Sequence, residues 1–409
     1  MRREEIPRAG LLMDVRVVSS GVAIAGPMTA GLLGEFGAEV LHIESPLGQD
    51  LLRNQRSTFG LQHRNQRLMT LDIPSPEGRR IFLRLLAEAD IWVESSKGGT
   101  YARWGLSDEE VWAVNPRLVV VHVSGFGQEG QPEMTGRAGF DAVAQAYSGL
   151  MNWNGTPESG PLLARPVMGD HIPALFAAFA AAAALHRARV SGVGESVDVA
   201  QYEALVRVQG SMLMHFLNDG VAYPLSGNQN VRWAGTDTFR CGDGRWVFVQ
   251  LTGRSSWANA VAFFGLAGDP DFPSTLNMVE RGSAPGTRME RLMREYCATR
   301  DAGAVESALT TAGLACSRVM APADLAEDPH YRARQTLTEW YDESAGATVR
   351  GPNIVPRVRN HPATIWRAGP RYSADTDDVL SELGYGERER AALYEQRVAL
   401  PPPARETTC

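Results

Sequence analysis

The stretch Val15–Glu44, VRVVSSGVAIAGPMTAGLLGEFGAEVLHIE, decides the fold class of this chain. It begins with the apolar run Val15–Ser20 and ends with a second run, Glu39–Glu44, and both are typical of buried strands. Between them, Met28–Phe36 has the length and apolar spacing of a helix. A strand, a helix and a second strand in this order predict a βαβ unit, in which the two strands run parallel.

The same alternation continues through the first 125 residues. Further strands are predicted at Leu68–Ile73, Asp90–Glu94 and Leu118–Ser124, and a helix is predicted at Pro76–Glu88. Nearly continuous runs of Val, Ile and Leu indicate parallel strands that helices cover on both faces. We therefore predict an open, Rossmann-like α/β sheet.

The middle of the chain is predicted to be mainly helical from Gly139 to Phe216. This part includes the Ala-rich run Ile172–Arg189 and the segment Val197–Phe216. The pattern changes near Asn228, and the following stretch, 238–251, holds two short apolar runs joined by Gly-Asp-Gly, which predicts a β-hairpin.

The hairpin opens a smaller α/β domain, in which helices are predicted at residues 256–266, 288–299 and 302–312. After it, a strand is predicted at Leu337–Asp342 and a helix at Thr376–Gly384. We therefore predict a large Rossmann-like domain formed by residues 1–228 and 328–409, with the smaller α/β domain inserted at residues 229–327.

Composition and charge narrow the classes of function. The chain has 409 residues, 44% of them hydrophobic, which is enough to fill a sizeable core. Its 40 basic and 47 acidic residues give a formal net charge of −7. A mildly acidic balance argues against nucleic acid and against an anionic membrane as partners.

Cysteine usage and the apolar pattern predict a cytoplasmic protein. Four widely spaced cysteines without a C-x-x-C pair indicate free thiols in a reducing compartment, and they are Cys241, Cys297, Cys316 and Cys409. The beginning of the sequence lacks an apolar segment of signal-peptide length. The most apolar stretch, Ile172–Leu185, has 14 residues, fewer than the ~20 of a membrane-spanning helix.

The sequence contains none of the common metal or nucleotide motifs. H-E-x-x-H, paired C-x-x-C, G-x-S-x-G and Walker A patterns do not occur, and no metal site is predicted. The first βα turn, Gly21–Pro27, has glycines but not the G-x-G-x-x-G fingerprint. Glu44, however, ends the second strand, where a dinucleotide-binding fold places a ribose-binding acid. Since the acidic residue is present but the glycine fingerprint is not, NAD binding stays open as an alternative.

Asp170 is the main catalytic candidate. In Val167–Pro173, VMGDHIP, it follows a glycine and precedes the Ala-rich helix, which predicts an N-cap or first-turn position. Free backbone N–H groups and the helix dipole are expected to lower the pKa of a carboxyl group there. Asp170 is then either an ordinary capping aspartate or an ionised nucleophile toward an activated acyl group.

Lys97 is the only lysine among the 40 basic residues. A general preference for arginine explains the scarcity of lysine but not this exception. Lys97 is either a solvated surface residue or a compact charge suited to phosphate oxygens.

The chain resembles the class III (family III) CoA-transferases, and among them most closely the carnitine CoA-transferase (CaiB/BaiF-like) branch. The resemblance runs nearly from end to end. Its blocks are Val17–Pro27, Gly34–Glu44, Glu94–Gly98, Asn115–Leu118, Ser124–Gly127, Ala144–Gly149, Gly192–Ala200, Gly351–Ile354 and Leu383–Tyr385.

This resemblance implies an enzyme that moves CoA from an acyl-CoA donor to a small carboxylic acid, for which a carnitine-like acid is one candidate. Asp170 falls on the nucleophilic aspartate of the family, which forms an aspartyl anhydride and then an aspartyl-CoA thioester. CoA is a substrate in this chemistry, and no tightly bound cofactor is implied. The family also implies a homodimer of two ring-shaped, interlocked chains.

The resemblance assigns CoA contacts as well. Lys97 falls on a position that contacts CoA phosphates. The family's second CoA-binding arginine corresponds to Trp104, so either the neighbouring Arg103 makes that contact or Trp104 stacks on adenine. Ile24 and Ala25, in the first βα loop, belong to the same site. The oxalate-specific branch has a glutamine at the position of Ile24, which disfavours formyl-CoA:oxalate transfer.

Two other functions stay open. A 2-methylacyl-CoA racemase shares this fold but needs the histidine of an A-G-H-D motif, where this chain has Ala138-Gly-Phe140-Asp141, and phenylalanine cannot carry a proton. A non-catalytic CoA-binding homologue is the second, and the presence of Asp170 argues against it. Phe140 and Tyr147 are candidates for an aromatic lining of the acceptor pocket, although core or interface packing is the commoner role of such residues.

Overall fold

The computed structural model describes residues 1–343 and 345–403. The chain forms two compact units. The larger unit contains Met1–Leu150, Ala164–Gly210 and the chain from Gln335 onward, and the smaller one contains Met151–Leu163 and Ser211–Arg334. The smaller unit therefore extends beyond the predicted insertion at residues 229–327 on both sides and also includes a separate short segment.

The strands are numbered in chain order. They are β1 (Arg16–Ser19), β2 (Glu39–Glu44), β3 (Gln66–Thr70), β4 (Ile91–Glu94), β5 (Val119–Ser124), β6 (Gly155–Thr156), β7 (Gly160–Pro161), β8 (Glu195–Ala200), β9 (Thr236–Arg240), β10 (Trp246–Gln250), β11 (Ala315–Arg318), β12 (Leu337–Asp342) and β13 (Ala347–Pro352).

The α-helices are numbered in the same way. They are α1 (Ala25–Glu35), α2 (Arg56–Gln62), α3 (Pro76–Ala87), α4 (Thr100–Arg103), α5 (Asp108–Val114), α6 (Pro132–Thr135), α7 (Asp141–Tyr147), α8 (Met168–Ser191), α9 (Gln201–Val208), α10 (Ser211–Asp219), α11 (Arg254–Phe263), α12 (Ala284–Ala298), α13 (Ala302–Thr311), α14 (Pro322–Glu327), α15 (Pro329–Ala333), α16 (Thr376–Glu382) and α17 (Glu387–Glu395).

The larger unit is built on a six-stranded parallel sheet with the order β3-β2-β1-β4-β5-β8. Alternate strand residues point to opposite faces, so each face meets its own helices. One face packs on α1 and α8, and the other on α3, α5, α16 and α17. The parallel sheet predicted from the apolar runs is confirmed, and its strand order reverses between β1 and β4.

The sixth strand, β8, corrects one prediction. The sequence pattern favoured a helix from Val197 onward, but Glu195–Ala200 pairs with β5 at the edge of the sheet. Only Ala200 in this strand is fully buried. An edge strand alternates apolar and polar residues instead of forming one apolar run, and Glu195-Ser-Val-Asp-Val-Ala200 is too short for that alternation to stand out.

Helix α8 is longer than its apolar sequence suggested. It has 24 residues, whereas the predicted apolar stretch has 14. Within the described residues, α8 is the one helix whose length and composition would permit it to cross a membrane. Its small residues Ala177, Ala181 and Ala188 are buried against the strands, as in the core helix of a folded domain.

The smaller unit contains an antiparallel sheet with the order β11-β10-β9. Strands β9 and β10 form the hairpin predicted from the Gly-Asp-Gly turn, and α11, α12 and α13 pack in the same core. Cys241, Cys297 and Cys316 are free thiols. Cys409, the fourth cysteine of the prediction, lies outside the described residues.

Candidate active site

Two loops meet at the carboxyl ends of β1 and β4, where the strand order of the sheet reverses. The Val22 N–H donates to Ser95 Oγ at 2.9 Å. A Cβ atom on Gly21 or Gly26 would lie 2.9 or 2.8 Å from the Ser95 side chain, so the close approach of the loops requires glycine at both positions. In open α/β sheets, this switch point is where ligands bind.

Lys97 lies on the second of these loops, and its side chain is exposed. The loop is held by its backbone, because the Gly98 N–H donates to Thr135 O at 3.2 Å and the Gly99 N–H donates to Gln128 Oε1 at 3.3 Å. Gly99 has a φ of +71°, which favours glycine. The only lysine of the chain therefore projects from a fixed loop at the sheet's switch point.

The other predicted CoA contacts lie in or beside these two loops. Arg103 is exposed, and its guanidinium donates to Thr100 Oγ1 at 3.1 Å. Trp104 is half-buried and packs edge-on against Tyr101, with ring centroids 4.9 Å apart. Ile24 and Ala25 are buried at the start of α1, so their side chains pack in the protein core.

Glu44 is already occupied by another side chain. Arg53 Nε donates to both of its carboxylate oxygens, at 2.9 and 3.0 Å. Glu44 is 5% exposed, and so it is buried with this partner. Because a ribose would have to displace a half-buried, bidentate arginine, Glu44 is poorly placed as the ribose acid of a dinucleotide site.

Asp170 lies in the first turn of α8, where Val167 is the N-cap residue. Its carboxylate is half-buried, and Gln201 Nε2 donates to its Oδ1 at 2.5 Å. The helix start was predicted correctly from the sequence. Gln201, which begins α9, comes 31 residues later and was not predicted.

A second carboxylate, Asp141, takes the free backbone N–H at this helix end. Asp141 Oδ1 accepts the Gly169 N–H at 2.7 Å and also a bond from Gln145 Nε2 at 2.7 Å. A Cβ on Gly169 would lie 2.5 Å from the Asp141 carbonyl oxygen, so glycine permits this contact. Asp141 and Asp170 are therefore held together at the start of α8.

The pKa of Asp170 departs from the prediction. The pKa of Asp170 is raised to about 6, chiefly by burial and further by the negative charge of Asp141, while the hydrogen bond from Gln201 opposes the increase. The predicted decrease assumed that Asp170 would use the helix-end N–H groups. Asp141 uses the Gly169 N–H instead and brings a like charge, so the expected direction was wrong.

The two candidate aromatic residues lie at the two ends of α7, the helix that begins with Asp141. Phe140 is the N-cap residue of α7 and is 62% exposed, and Tyr147 ends that helix and is 51% exposed. Helix α7 packs on both α8 and α9. Tyr147 also meets the ring of Tyr202 edge-on, with centroids 5.1 Å apart.

A charged cluster that the sequence analysis missed lies beneath the Lys97 loop. His122 Nδ1 is 2.6 Å from Glu94 Oε1, and His122 Nε2 is 3.1 Å from Asp108 Oδ1. Burial lowers the pKa of His122, but its two hydrogen-bonded carboxylates outweigh this and raise it to about 10. The available signal was a histidine inside the apolar strand β5, which is otherwise valine and one serine.

One carboxylate of this cluster, Glu94, also contacts the loop. Glu94 Oε2 accepts the Ser96 N–H at 2.5 Å, one residue before Lys97.

Within the described part of the chain, no group of three or more His, Cys, Asp and Glu side chains is arranged to hold a metal ion.

Comparison with known proteins places the chain in a family. The sequence model of CoA-transferase family III matches residues 12–376. A curated relative, the bile acid CoA-transferase BaiK of Clostridium scindens, is 39% identical over 387 residues, which are 94% of this chain and 88% of the relative.

Solved structures share the fold. A CAIB/BAIF family protein from Brucella suis matches with a TM-score of 0.77 and 24% identity, over 92% of this chain and 100% of that one. Rv3272 from Mycobacterium tuberculosis matches with a TM-score of 0.78 and 23% identity, over 90% and 99%. The chain belongs to CoA-transferase family III and is a CoA-transferase. The resemblance identified from the sequence blocks is thus confirmed.

Proposed function

We propose that the protein transfers CoA from an acyl-CoA donor to a carboxylic acid through a covalent intermediate on Asp170. The observation that carries the proposal is the half-buried Asp170 carboxylate at the start of α8, hydrogen-bonded through one oxygen to Gln201. With a pKa of about 6, Asp170 is mostly ionised at pH 7. It is therefore a nucleophile of moderate basicity in a partly water-excluded position.

The proposed steps are balanced without any other reactant. The Asp170 carboxylate attacks the donor thioester carbonyl, the C–S bond breaks, and CoA thiolate leaves an acyl-aspartyl anhydride. The thiolate then attacks the aspartyl carbonyl and releases the donor acid, which leaves an aspartyl-CoA thioester. The acceptor carboxylate displaces the thiolate to form a second anhydride. Thiolate attack on the acceptor's acyl carbonyl releases the new acyl-CoA and restores Asp170.

We propose that CoA binds at the switch point between β1 and β4. The two glycine-dependent loops and the exposed Lys97 support this position, because a lysine ammonium suits phosphate oxygens. Exposed Arg103 is the better second phosphate contact, since Trp104 packs on Tyr101. Ile24 and Ala25 contribute through the backbone of the first loop, because their side chains are buried.

The Lys97 loop and Asp170 are connected by one segment of chain. The loop's backbone bonds to Gln128 and Thr135, and this segment continues to Gly139, which lies against Gly125 and the Gln201 side chain. A CoA molecule whose phosphates meet Lys97 would follow this segment toward Asp170. This continuity supports a single extended acyl-CoA site.

For the acceptor, we propose a carboxylic acid with a bulky apolar body. The relative named a bile acid CoA-transferase supports this class, and so do the exposed rings of Phe140 and Tyr147. A carnitine-like acid is the second candidate, because a quaternary ammonium binds the faces of such rings. A panel of bile acids, carnitine-like acids and short-chain acids with several acyl-CoA donors, analysed by mass spectrometry, distinguishes the two.

We further propose a cytoplasmic homodimer with interlocked chains. The apolar side chains of Leu175, Phe176 and Phe179 on α8 are 55%, 38% and 75% exposed, a patch that suits burial against a second copy. Interlocked chains cannot separate without opening, so dilution should not yield folded monomer. A concentration-dependent monomer in light scattering would contradict this assembly.

The decisive test of the reaction is Asp170→Ala. We expect transfer to fall by about 10³-fold or more, because no other group forms the anhydride. The folded state and CoA binding should be retained. Intact mass of the wild type after incubation with acyl-CoA should show the covalent adduct, and the variant should not. Transfer above a few per cent of the wild-type rate would show that Asp170 is not the nucleophile.

A further inference from the structure

We propose that Gln201 is a positioning residue that fixes the Asp170 carboxylate for attack. This inference rests on the proposed function of Asp170. Gln201 begins α9 and is 6% exposed, and its Nε2 lies 2.5 Å from Asp170 Oδ1. A hydrogen bond this short to an ionised acceptor is among the stronger ones in proteins.

The orientation of the Gln201 amide follows from its two neighbours. An ionised carboxylate only accepts hydrogen bonds, so the NH₂ group of Gln201 faces Asp170. Its Oε1 faces the crossing of Gly125 and Gly139, where a Cβ on Gly139 would lie 3.4 Å from Oε1 and 2.5 Å from the Gly125 Cα. Larger residues would close this space. Because Gly125 and Gly139 have no side chains, they leave a buried space that holds the Gln201 amide.

This arrangement distinguishes the two oxygens of Asp170. The bond from Gln201 engages Oδ1 and restricts rotation of the carboxylate, so Oδ2 is the attacking oxygen. Orientation of this kind contributes to the rate of the chemical step, since a reacting group must be close and aligned. The same bond also favours the ionised form, against burial and Asp141.

The charged groups around Asp170 identify what else could affect its titration. From α7 the facing group is Asp141, and on α8 itself His171 follows. Several charged residues on the other elements packed against α8 are bonded elsewhere: Glu35 to Arg64, His122 to Glu94 and Asp108, Asp198 to the Gln128 N–H, Glu195 to the Ser196 N–H, and Glu203 to Tyr202. The remaining charged residue of α9, Arg207, is exposed in the last turn of that helix. Gln201 is thus a neutral hydrogen-bond donor whose effect on the pKa of Asp170 opposes that of Asp141.

The test compares Gln201→Ala, Gln201→Glu and the matched control Gln209→Ala in the full-length protein. Gln209 follows the same helix, is 9% exposed and donates from Nε2 to Ser148 O at 2.7 Å. Gln209→Ala also removes a buried side-chain amide, but this amide donates to a backbone oxygen and not to Asp170. The pH dependence of kcat and KM is measured for each variant.

In Gln201→Ala we expect kcat to fall about 10- to 100-fold with little change in KM for acyl-CoA. The midpoint of the acidic limb should rise by about one pH unit, because a bond to the ionised form is lost. Gln201→Glu should raise the midpoint further, since it adds a like charge. Gln209→Ala should keep the wild-type midpoint.

Two results separate the possible failures. If Gln201→Ala loses stability but keeps the wild-type midpoint, and near-isosteric Gln201→Glu behaves as wild type, Gln201 has a packing role and the inference is overturned. If Asp170→Ala retains transfer, the proposed function itself fails, whatever the Gln201 variants do.

Discussion

Asp170 and His122 are both shielded from water in the larger unit, but Asp170 has a neighbour of like charge and His122 has neighbours of opposite charge. Asp170 lies near a like charge, Asp141, and burial with that charge raises its pKa to about 6. His122 lies between two opposite charges, Glu94 and Asp108, which raise its pKa to about 10 despite its burial. One group titrates close to neutral pH, and the other stays charged through it.

The contrast shows that the charge of its neighbours decides whether a group shielded from water is suited to be a nucleophile or a structural support. A carboxylate beside another carboxylate is destabilised in its ionised form and therefore gains basicity, which suits a nucleophile. A histidinium that donates to two carboxylates is satisfied, which suits a structural support. The support lies under the Lys97 loop, because Glu94 also accepts the Ser96 N–H.

The largest expected effect in this comparison is on stability, from His122→Ala. Removing the cation leaves the buried Glu94 carboxylate without an opposite charge, so we expect the free energy of unfolding at pH 7 to fall by about 3 kcal/mol. Chemical denaturation of both proteins measures this difference. His361→Ala, a change of an exposed histidine, is the control and should have little effect. A loss in the His122 variant no larger than in the control would contradict the assignment of a structural support.

The same pair of proteins gives a pH dependence with a defined sign. The pKa of His122 is about 10 in the folded state against an ordinary value of 6.5. Its protonated form therefore stabilises the fold fully below pH 6.5, and this stabilisation is lost as the pH rises from 6.5 to 10. The wild type and His122→Ala should thus become more alike in stability across that window.

A substitution of Lys97 tests whether the loop above His122 and Glu94 binds CoA. Lys97→Ala should raise the KM for acyl-CoA about tenfold and change kcat little, because a phosphate contact far from the reacting bond contributes mostly uniform binding. Lys97→Arg keeps the charge and is the control. Lysine-selective acylation gives an independent measurement, since saturating CoA should protect Lys97. Equal labelling with and without CoA would place the phosphate site elsewhere.

The smallest expected effect comes from reducing the like charge beside Asp170. Asp141→Asn retains an oxygen that accepts the Gly169 N–H but removes the negative charge. The pKa of Asp170 should then decrease, and the acidic limb of the pH–rate profile should move down by roughly half to one unit. Asp14→Asn, at a surface pair with Arg189, should leave the profile unchanged. An upward shift in Asp141→Asn would mean that packing, not charge, dominates.

The fold could be predicted wherever its elements have strong local patterns. Strands β1 to β5 are nearly all buried, so their apolar runs stand out in the sequence, and each was found to within a few residues. Strand β8 lies at the sheet edge with mixed burial, and the sequence pattern predicts a helix there because its alternation is short. The smaller unit also contains residues 151–163, 211–228 and 328–334, which the sequence pattern assigns to the larger domain because no change of composition marks them.

The candidate site could be predicted only in part. Asp170 was found because a helix start has a local signature, and Lys97 because it is unique. Asp141 and Gln201 were missed, since each reaches the start of α8 from about 30 residues away along the chain. The direction of the Asp170 pKa shift was wrong for the same reason, because the sequence shows the helix end but not the charge that faces it.

The sequence by itself determined the parallel α/β sheet, the hairpin of the smaller unit, the family, and the two residues on which the proposal depends. These follow from apolar periodicity, turn residues and ordered blocks, all of which are properties of neighbouring residues in the chain. Only the tertiary structure decided which charges face Asp170 and His122. Electrostatic interactions act through space between groups brought together by folding, and their sign and burial are set by partners that no local pattern specifies.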